Sequence, residues 1–247
     1  MTQASRIAAD WLDKRARLTP GHVALIDYAD KTETTYADWN ARANRTANYL
    51  LSLGVGKGDR VAVYASNCTE YLDLFWAAPK IGAILQNLNW RLTVHELQGI
   101  VKSGAPTVLV YSEDWQSQVD ELKPSLDTVD HVVAFSNPRA GERSFAEREK
   151  QSFVLESRPE LTLDDPWGIY YTGGTTGLPK GAGLTHGNVT WNSINTITSW
   201  GLTAGHKAAL QLPFFHIGGP NIFMAPLVHV GGTTVLCVGF DPDETFD

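Results

Sequence analysis

Residues Tyr171 to Gly181 run Tyr-Thr-Gly-Gly-Thr-Thr-Gly-Leu-Pro-Lys-Gly, with four glycines, three threonines and one lysine in eleven positions. Glycine opens φ values closed to other residues and lets an anion approach the backbone closely. Consecutive N–H groups in such a stretch can converge on one point and form an anion-binding nest. Thr172, Thr175 and Thr176 add hydroxyl donors, and Lys180 adds a mobile positive charge suited to a polyphosphate. The pattern is not a Walker A loop, which needs Gly-Lys-Ser/Thr opening a helix. Here Pro179-Lys180-Gly181 leads into the strand-like run Gly181-Ala182-Gly183-Leu184. A kinase-type or GTPase-type phosphate loop is therefore disfavoured. On composition alone, a plain Gly/Thr surface loop remains a competing reading.

A second candidate lies at Gln211 to Gly219, Gln-Leu-Pro-Phe-Phe-His-Ile-Gly-Gly. Phe214 and Phe215 can wall an apolar binding site, and Gly218 and Gly219 leave room beside His216. A lone histidine beside aromatics is, without context, more often a packed core residue. His186 is expected to help pack the start of a helix, and His22, His95, His131, His206 and His229 show no partner pattern.

The elements that must position these residues alternate along the chain. A helix is expected over Ser5–Leu18, then a hairpin from His22–Ile26 and Thr32–Tyr36. A long amphipathic helix, Tyr36–Leu53, carries Trp39, Ala43, Ala47, Leu50 and Leu51 on one face and ends at Gly54. Gly54–Asp59 (GVGKGD) is a helix-to-strand turn, since a dinucleotide fingerprint needs the order strand, glycines, helix. Strands at Arg60–Ala65, Ala83–Gln86, Thr107–Val110 and His131–Phe135 are separated by helices at Thr69–Ile81, Thr93–Ser103 and Trp115–Leu122. That alternation predicts α/β architecture, with parallel sheets flanked by helices. Asn137–Asp165 is polar and reads as a surface crossing with one short helix near Ser144–Lys150. The alternation then resumes: strand Trp167–Tyr171, the Gly/Thr loop, strand Gly181–Leu184, and a helix Gly187–Trp200 capped by Thr185. Strand Ala208–Leu212, helix Gly218–Val230 and strand Thr233–Val238 follow. Division into 1–136, 137–165 and 166–247 is the expected organisation. Asp241, Pro242, Asp243 and Glu244 look like a helix start, which is read as a sign of truncation.

The bulk numbers narrow the functional classes. A 247-residue chain that is 43% hydrophobic can bury a large core. Its net charge of -7 disfavours nucleic acid and anionic membranes as partners. Cys68 and Cys237 fit buried free thiols in a reducing cytoplasm rather than a disulfide framework or a zinc site. The N-terminus lacks the apolar core of a signal peptide, and the apolar stretch Asn221–Phe240 is broken by Pro226, His229, Gly231 and Gly232, so no transmembrane segment is expected. The Asn-x-Thr triplets at Asn44, Asn67 and Asn188 are taken as chance.

The run YTGGTTGLPKGAGLTHGN closely resembles the phosphate-binding signature of the adenylate-forming superfamily, which includes acyl- and aryl-CoA synthetases, peptide-synthetase adenylation domains and firefly luciferase. Gly173 stands where most members carry Ser. Lys80, Gly82, Ala83, Asn89, Arg91, Leu92 and Leu97 fall at the family's relative positions, with Trp90 where Pro is common. QLPFFHIGG resembles the next signature. The resemblance spans essentially the whole chain and implies the N-terminal subdomains of an acid–CoA ligase, truncated before the C-terminal domain. It implies that Thr172, Gly173, Gly174, Thr175, Thr176, Gly177 and Lys180 hold the ATP phosphates. His216 would sit beside the acyl carboxylate and the α-phosphate, making His216 and Lys180 the catalytic candidates. Phe214, Phe215, His216, Gly218 and Gly219 would border the acyl group, and Thr175 or Thr176 would meet Mg²⁺ through Mg-ATP. The reaction implied joins ATP and a carboxylic acid into an acyl-adenylate and pyrophosphate, after which coenzyme A displaces AMP.

No Tyr-Gly-x-Thr-Glu motif, which usually supplies an adenine contact and a Mg²⁺-holding Glu, and no Thr-Gly-Asp ribose motif occurs in the sequence. The chain is therefore expected to be inactive alone and to hold pyrophosphate-like anions weakly, through a loop that is mobile without ligand. A stand-alone, non-catalytic phosphate- or acyl-binding module is the second reading. Fatty acid metabolism, a cytoplasmic location and room for a homodimer complete the expectations.

Overall fold

The computed structural model describes residues 7–155, 157–174 and 177–242, and only the backbone of residues 173, 174, 177 and 178. α1 (Trp11–Leu18) starts at Asp10, whose carboxylate accepts the Asp13 N–H at 3.0 Å. A helix was expected from Ser5, but Ile7 is exposed and bridges Thr162 instead. Asp10 explains the late start. Lys80 and Arg158 each reach its carboxylate at 2.6 Å and hold the preceding chain in place. β1 (Val23–Asp27) and β2 (Glu33–Thr35) form the expected hairpin. α2 (Tyr36–Ser52) buries Trp39, Ala43, Ala47 and Leu50, whereas Leu51 is 38% exposed. One residue turns the helix by about 100°, which carries Leu51 off the apolar stripe.

β3 (Arg60–Tyr64), α3 (Thr69–Lys80), β4 (Ile84–Asn87), α4 (Val94–Gly104), β5 (Val108–Tyr111), α5 (Gln116–Leu122) and β6 (His131–Ala134) alternate as predicted. The polar crossing contains β7 (Arg143–Ser144) and the short helix near Ser144–Lys150, a 3-10 helix over Phe145–Lys150. β8 (Pro166–Gly174), β9 (Gly177–Thr185), α6 (His186–Trp200) and β10 (Lys207–Leu210) come next. α6 opens with a capping box, because Thr185 and Asn188 each accept the other's backbone N–H. The single helix expected over Gly218–Val230 is split into a π-helical turn at Pro220–Met224 and α7 (Ala225–Val230). Pro226 cannot donate the usual helical hydrogen bond, and a wider turn upstream accommodates it. β11 (Thr233–Leu236) closes the order. The helix start at Asp241 is described only as far as Pro242; Asp243 and Glu244 lie outside the described residues.

The larger sheet has the order β7-β6-β5-β3-β4-β8-β9 and is parallel except at β8–β9. The smaller has the order β10-β11-β1-β2 and is parallel except at β1–β2. Segments on either side of the polar crossing thus share both sheets. Strand alternation sorts the core. Val61, Val63, Val108 and Val110 pack with α2, α3 and residues of the smaller sheet such as Leu25 and Leu236. Ala62, Tyr64, Leu109 and Tyr111 face the opposite way, onto α4 and α5. One buried ion cluster links the layers. Fully buried Asp73 accepts from Trp39 Nε1 at 3.1 Å, Arg42 Nε at 2.9 Å and Arg148 Nη1 at 2.7 Å. Cys237 is buried and Cys68 partly buried, and neither is in a disulfide. Among the described residues, no helix is long and apolar enough to cross a membrane.

Candidate active site

The stretch that the sequence predicts to be a loop between two strands is mostly strand. β8 and β9 pair through Tyr171↔Gly181, Thr172↔Lys180 and Gly174↔Gly177, with a register shift between Thr172 and Gly174. The run is therefore the end of an antiparallel hairpin at the edge of the larger sheet. Thr175 and Thr176, which join its strands, lie outside the described residues, as does the expected mobility of the loop. Gly181 allows the close pairing: a Cβ there would meet Ile169 Cγ2 at 2.9 Å and the Tyr171 ring at 3.2 Å.

Cross-strand register sets which way the side chains point. Residues directly opposite each other share a face, and so do residues two apart. Tyr170, Thr172 and Lys180 therefore lie on one face of the hairpin, with Thr172 and Lys180 exposed. Tyr171 lies on the other face, where its hydroxyl accepts from Gln86 Nε2 at 3.1 Å.

The His216 segment docks on the first of these faces. Asn221 Nδ2 donates to the Tyr170 hydroxyl at 3.4 Å and to the Ile217 carbonyl at 3.1 Å. Burial raises the Tyr170 pKa, so the phenol stays neutral. The turn is tight: the His216 N–H reaches Pro213 O at 3.1 Å, and the Gly219 N–H reaches His216 O at 2.9 Å. A Cβ on Gly219 would lie 2.4 Å from Pro213 O, so no larger residue fits this backbone. The Gly218 N–H donates to His216 Nδ1 at 3.2 Å, which in the neutral ring leaves the proton on Nε2 of this exposed side chain. An apolar cavity of about 170 Å³ lies beside Gly218 and Gly219, against Leu210, Leu212, Ile222 and Phe223.

The remaining supports come from the carboxyl ends of parallel strands. Asn67, just beyond β3, accepts the Phe214 N–H at 2.9 Å and donates to Leu212 O at 3.0 Å and Cys237 O at 3.3 Å. Phe214 is buried against Tyr71, with ring centroids 5.5 Å apart. Trp90 and Arg91, beyond β4, cover Phe215: the Trp90 ring is 5.6 Å away, edge-on, and the Arg91 guanidinium is 5.7 Å from the Phe215 centroid. Chain order reverses at β3, with β4 on one side and β5 on the other, and the crevice at such a switch point is where open α/β sheets bind ligands.

Four structural contributors were not singled out from the sequence. Asn67 was read only as a chance triplet and Trp90 as a departure from a family pattern, while Asn221 and Tyr170 carried no signal of a shared hydrogen bond. The three asparagines of those triplets all make hydrogen bonds within the fold: Asn44 donates to Phe153 O, Asn67 holds the turn, and Asn188 accepts the Thr185 N–H in the capping box of α6. His186 packs the start of α6 as expected, buried with its ring 4.8 Å from Trp167, and burial lowers its pKa to about 4. His229 lies 3.5 Å from the Trp11 ring, and burial also lowers its pKa to about 4. Among the described residues, no group of three His, Cys, Asp or Glu could hold a metal ion.

Comparison with known proteins identifies the family. The family model of the AMP-binding enzymes matches residues 12–247. Indoleacetate–CoA ligase of Aromatoleum aromaticum is 35% identical over 240 residues, covering 97% of this chain and 46% of that protein. Feruloyl-CoA synthase of an Amycolatopsis species is 34% identical over 232 residues, covering 94% of this chain and 44% of that protein. This chain thus spans about half the length of these relatives. The inhibitor-bound N-terminal domain of FACL13 from Mycobacterium tuberculosis superposes with a TM-score of 0.84 at 29% identity, covering 98% of this chain and 59% of that one. ATP-bound MatB from Rhodopseudomonas palustris superposes with a TM-score of 0.83 at 27% identity, covering 98% of this chain and 47% of that one.

Proposed function

The chain belongs to the AMP-binding enzyme family, and we propose that it carries the phosphate-facing and carboxylate-facing half of an acid–CoA ligase active site. The observation that carries the proposal is the Tyr170–Asn221–Ile217 hydrogen-bond chain, which fastens the His216 turn to the face of the hairpin bearing Thr172 and Lys180. Carboxylate and triphosphate are both anions, so bringing them together requires charge neutralisation. Lys180 and the N–H groups of the glycine-rich hairpin end supply it on the phosphate side. Mg²⁺ would arrive with ATP and spread the phosphate charge further, with Thr175 or Thr176 as the nearby hydroxyls.

His216 offers Nε2–H to the acyl carboxylate and the α-phosphate and holds them in line. A carboxylate oxygen then bonds to the α-phosphorus as pyrophosphate leaves with the electron pair of the broken P–O bond. In the second half-reaction the coenzyme A thiolate attacks the acyl carbon and AMP departs. Phe214, Phe215, Gly218 and Gly219 border the acyl group, which suits an apolar carboxylic acid. The 247-residue chain has no adenine or ribose motif, and we expect it to bind without turnover. The test is ATP–pyrophosphate exchange by the purified chain with aryl-acetic, cinnamic and long-chain fatty acids. Exchange above a no-enzyme control with any of them would refute the inactivity. A chain that also fails to bind pyrophosphate would refute the half-site.

A further inference from the structure

The two sheets end in the edge strands β7, β9, β10 and β2, and these four edges differ. An open strand edge invites pairing with another chain, and folds blunt it with short strands, charges and proline. β2 has three residues and β7 two, and each begins with an exposed charge, Glu33 and Arg143. β9 carries Pro179 and Lys180 and belongs to the phosphate hairpin. β10 has no such guard past its first residue, since Lys207 is followed by Ala208, Ala209 and Leu210.

β11 fixes which way the β10 backbone points. The carbonyls of His206 and Leu210 accept from the Thr233 N–H at 3.0 Å and the Cys237 N–H at 3.4 Å. Successive residues of a strand turn their peptide groups to opposite edges, so those of Lys207 and Ala209 face outward. A cavity of about 170 Å³ runs along this edge, lined by Ala209, Leu210, Gln211 and Leu212. The surface beyond it is apolar. Phe223 and Phe240 line the same cavity, Trp200 packs on Phe223 with centroids 5.2 Å apart, and Val238 shares the next hollow with Phe240. Trp200, Leu212, Val238 and Phe240 are 48–71% exposed. An aromatic side chain presents about 150–250 Å² in full, so these four together offer roughly 300–400 Å². That is nearly half of the roughly 800 Å² each partner gives to a stable interface, before the strand edge itself is counted.

We propose that β10 is the contact through which two copies of this chain pair, antiparallel about a two-fold axis at Ala209, joining their smaller sheets into one. In that register the outward N–H and C=O of Ala209 meet those of Ala209 in the second copy, and Lys207 falls opposite Gln211. Small side chains stand at the axis. The two Lys207 side chains are four residues apart along the ladder, about 13 Å, beyond the screening length of about 8 Å at physiological salt. Pairing also covers the cavity beside Gly218 and Gly219, so an acyl ligand seated there competes with the second copy. The pairing needs neither ATP nor an acid, so its failure and that of the proposed function are distinguishable.

The test is sedimentation of the full 247-residue chain, without ligand, from about 1 to about 200 µM. Dimer is expected to dominate at the upper end and to strengthen as salt rises, because each copy carries a net charge of -7. Ala209→Pro removes the outward N–H and leaves the β11 ladder whole, and Leu212→Lys charges the exposed apolar rim. Each should weaken dimerisation about tenfold or more with the monomer still folded by circular dichroism. The Ala209 amide should gain protection from hydrogen exchange as concentration rises, while the Ala182 amide on the β9 edge should not. A monomer throughout the range would overturn the proposal and leave the β10 edge to a different polypeptide. Dimerisation that both variants leave unchanged would overturn it equally, by placing the contact elsewhere.

Discussion

Replacing Asn67 by Ala should loosen the His216 turn without touching any ligand-facing group. Asn67 accepts the Phe214 N–H and donates to the carbonyls of Leu212 and Cys237, at 2.9, 3.0 and 3.3 Å. Asn67 is buried and so is Phe214, so water cannot readily replace the lost bonds. Each net hydrogen bond is worth about 1 kcal/mol, and a buried donor left unpaired costs about 1–3 kcal/mol. Discounting the longest contact, the expected loss is about 3 kcal/mol in urea unfolding. Amide hydrogen exchange adds a local readout. The Phe214 amide should lose protection in Asn67→Ala, while the Val63 amide, deep in the larger sheet, should keep it relative to the new global stability. Asn67→Asp retains the acceptor but sets a carboxylate against two carbonyls, so its deficit should shrink as pH falls and the side chain protonates. A loss below about 1 kcal/mol in Asn67→Ala with full protection at Phe214 would refute Asn67 as the anchor of the turn.

Three further perturbations test the framework. Stability should fall as pH drops from 6.5 to about 4, because His186 and His229 have folded pKa values of about 4 against an ordinary 6.5. The contribution is fully present above 6.5 and is lost as the unfolded chain takes up protons that the fold refuses; for buried His186 it is about 3 kcal/mol. Urea midpoints at pH 7.5 and 5 measure it, and His186→Phe should flatten the slope. Gly219→Ala, whose Cβ would lie 2.4 Å from Pro213 O, should cost about 2 kcal/mol or more, whereas Gly183→Ala, with nothing within 4 Å, should stay within about 0.5 kcal/mol. Asp73→Ala should cost about 3–5 kcal/mol by leaving the buried Arg148 with only the exposed Glu149 carboxylate and the Thr46 hydroxyl as partners, and adding Arg148→Met should recover part of that loss.

The alternation of strands and helices was legible because each element carries its own period and its own caps. Thr35, Thr93 and Thr185 mark helix starts that the structure keeps. The misread hairpin has a physical cause. A hairpin is announced in sequence by an Asn-Gly or Asp-Gly pair, and none occurs between Tyr171 and Gly181, so glycines that permit close strand pairing look like loop glycines. The apolar period that predicts a helix from Ser5 runs through Ile7 and Ala8, ahead of the observed start of α1 at Trp11. Capture of Asp10 by Lys80 and Arg158, distant in sequence, decides the start. The candidate-site residues with chemistry of their own, Lys180 and His216, are visible in the sequence as motifs. The residues that position them were not, because Asn67, Trp90, Tyr170 and Asn221 act only through partners that folding brings near.

The most direct measurement is a titration of the chain with pyrophosphate, followed through the backbone amide resonances. The account predicts saturable shifts concentrated at Thr172, Gly173, Gly174 and Gly177, with affinity falling as salt rises. It also predicts about tenfold or greater weakening in Lys180→Ala, as expected for loss of one charged hydrogen bond worth about 1.5–3 kcal/mol. Shifts scattered over the surface, or an affinity that Lys180→Ala leaves unchanged, would contradict the assignment of the β8–β9 hairpin as the phosphate site.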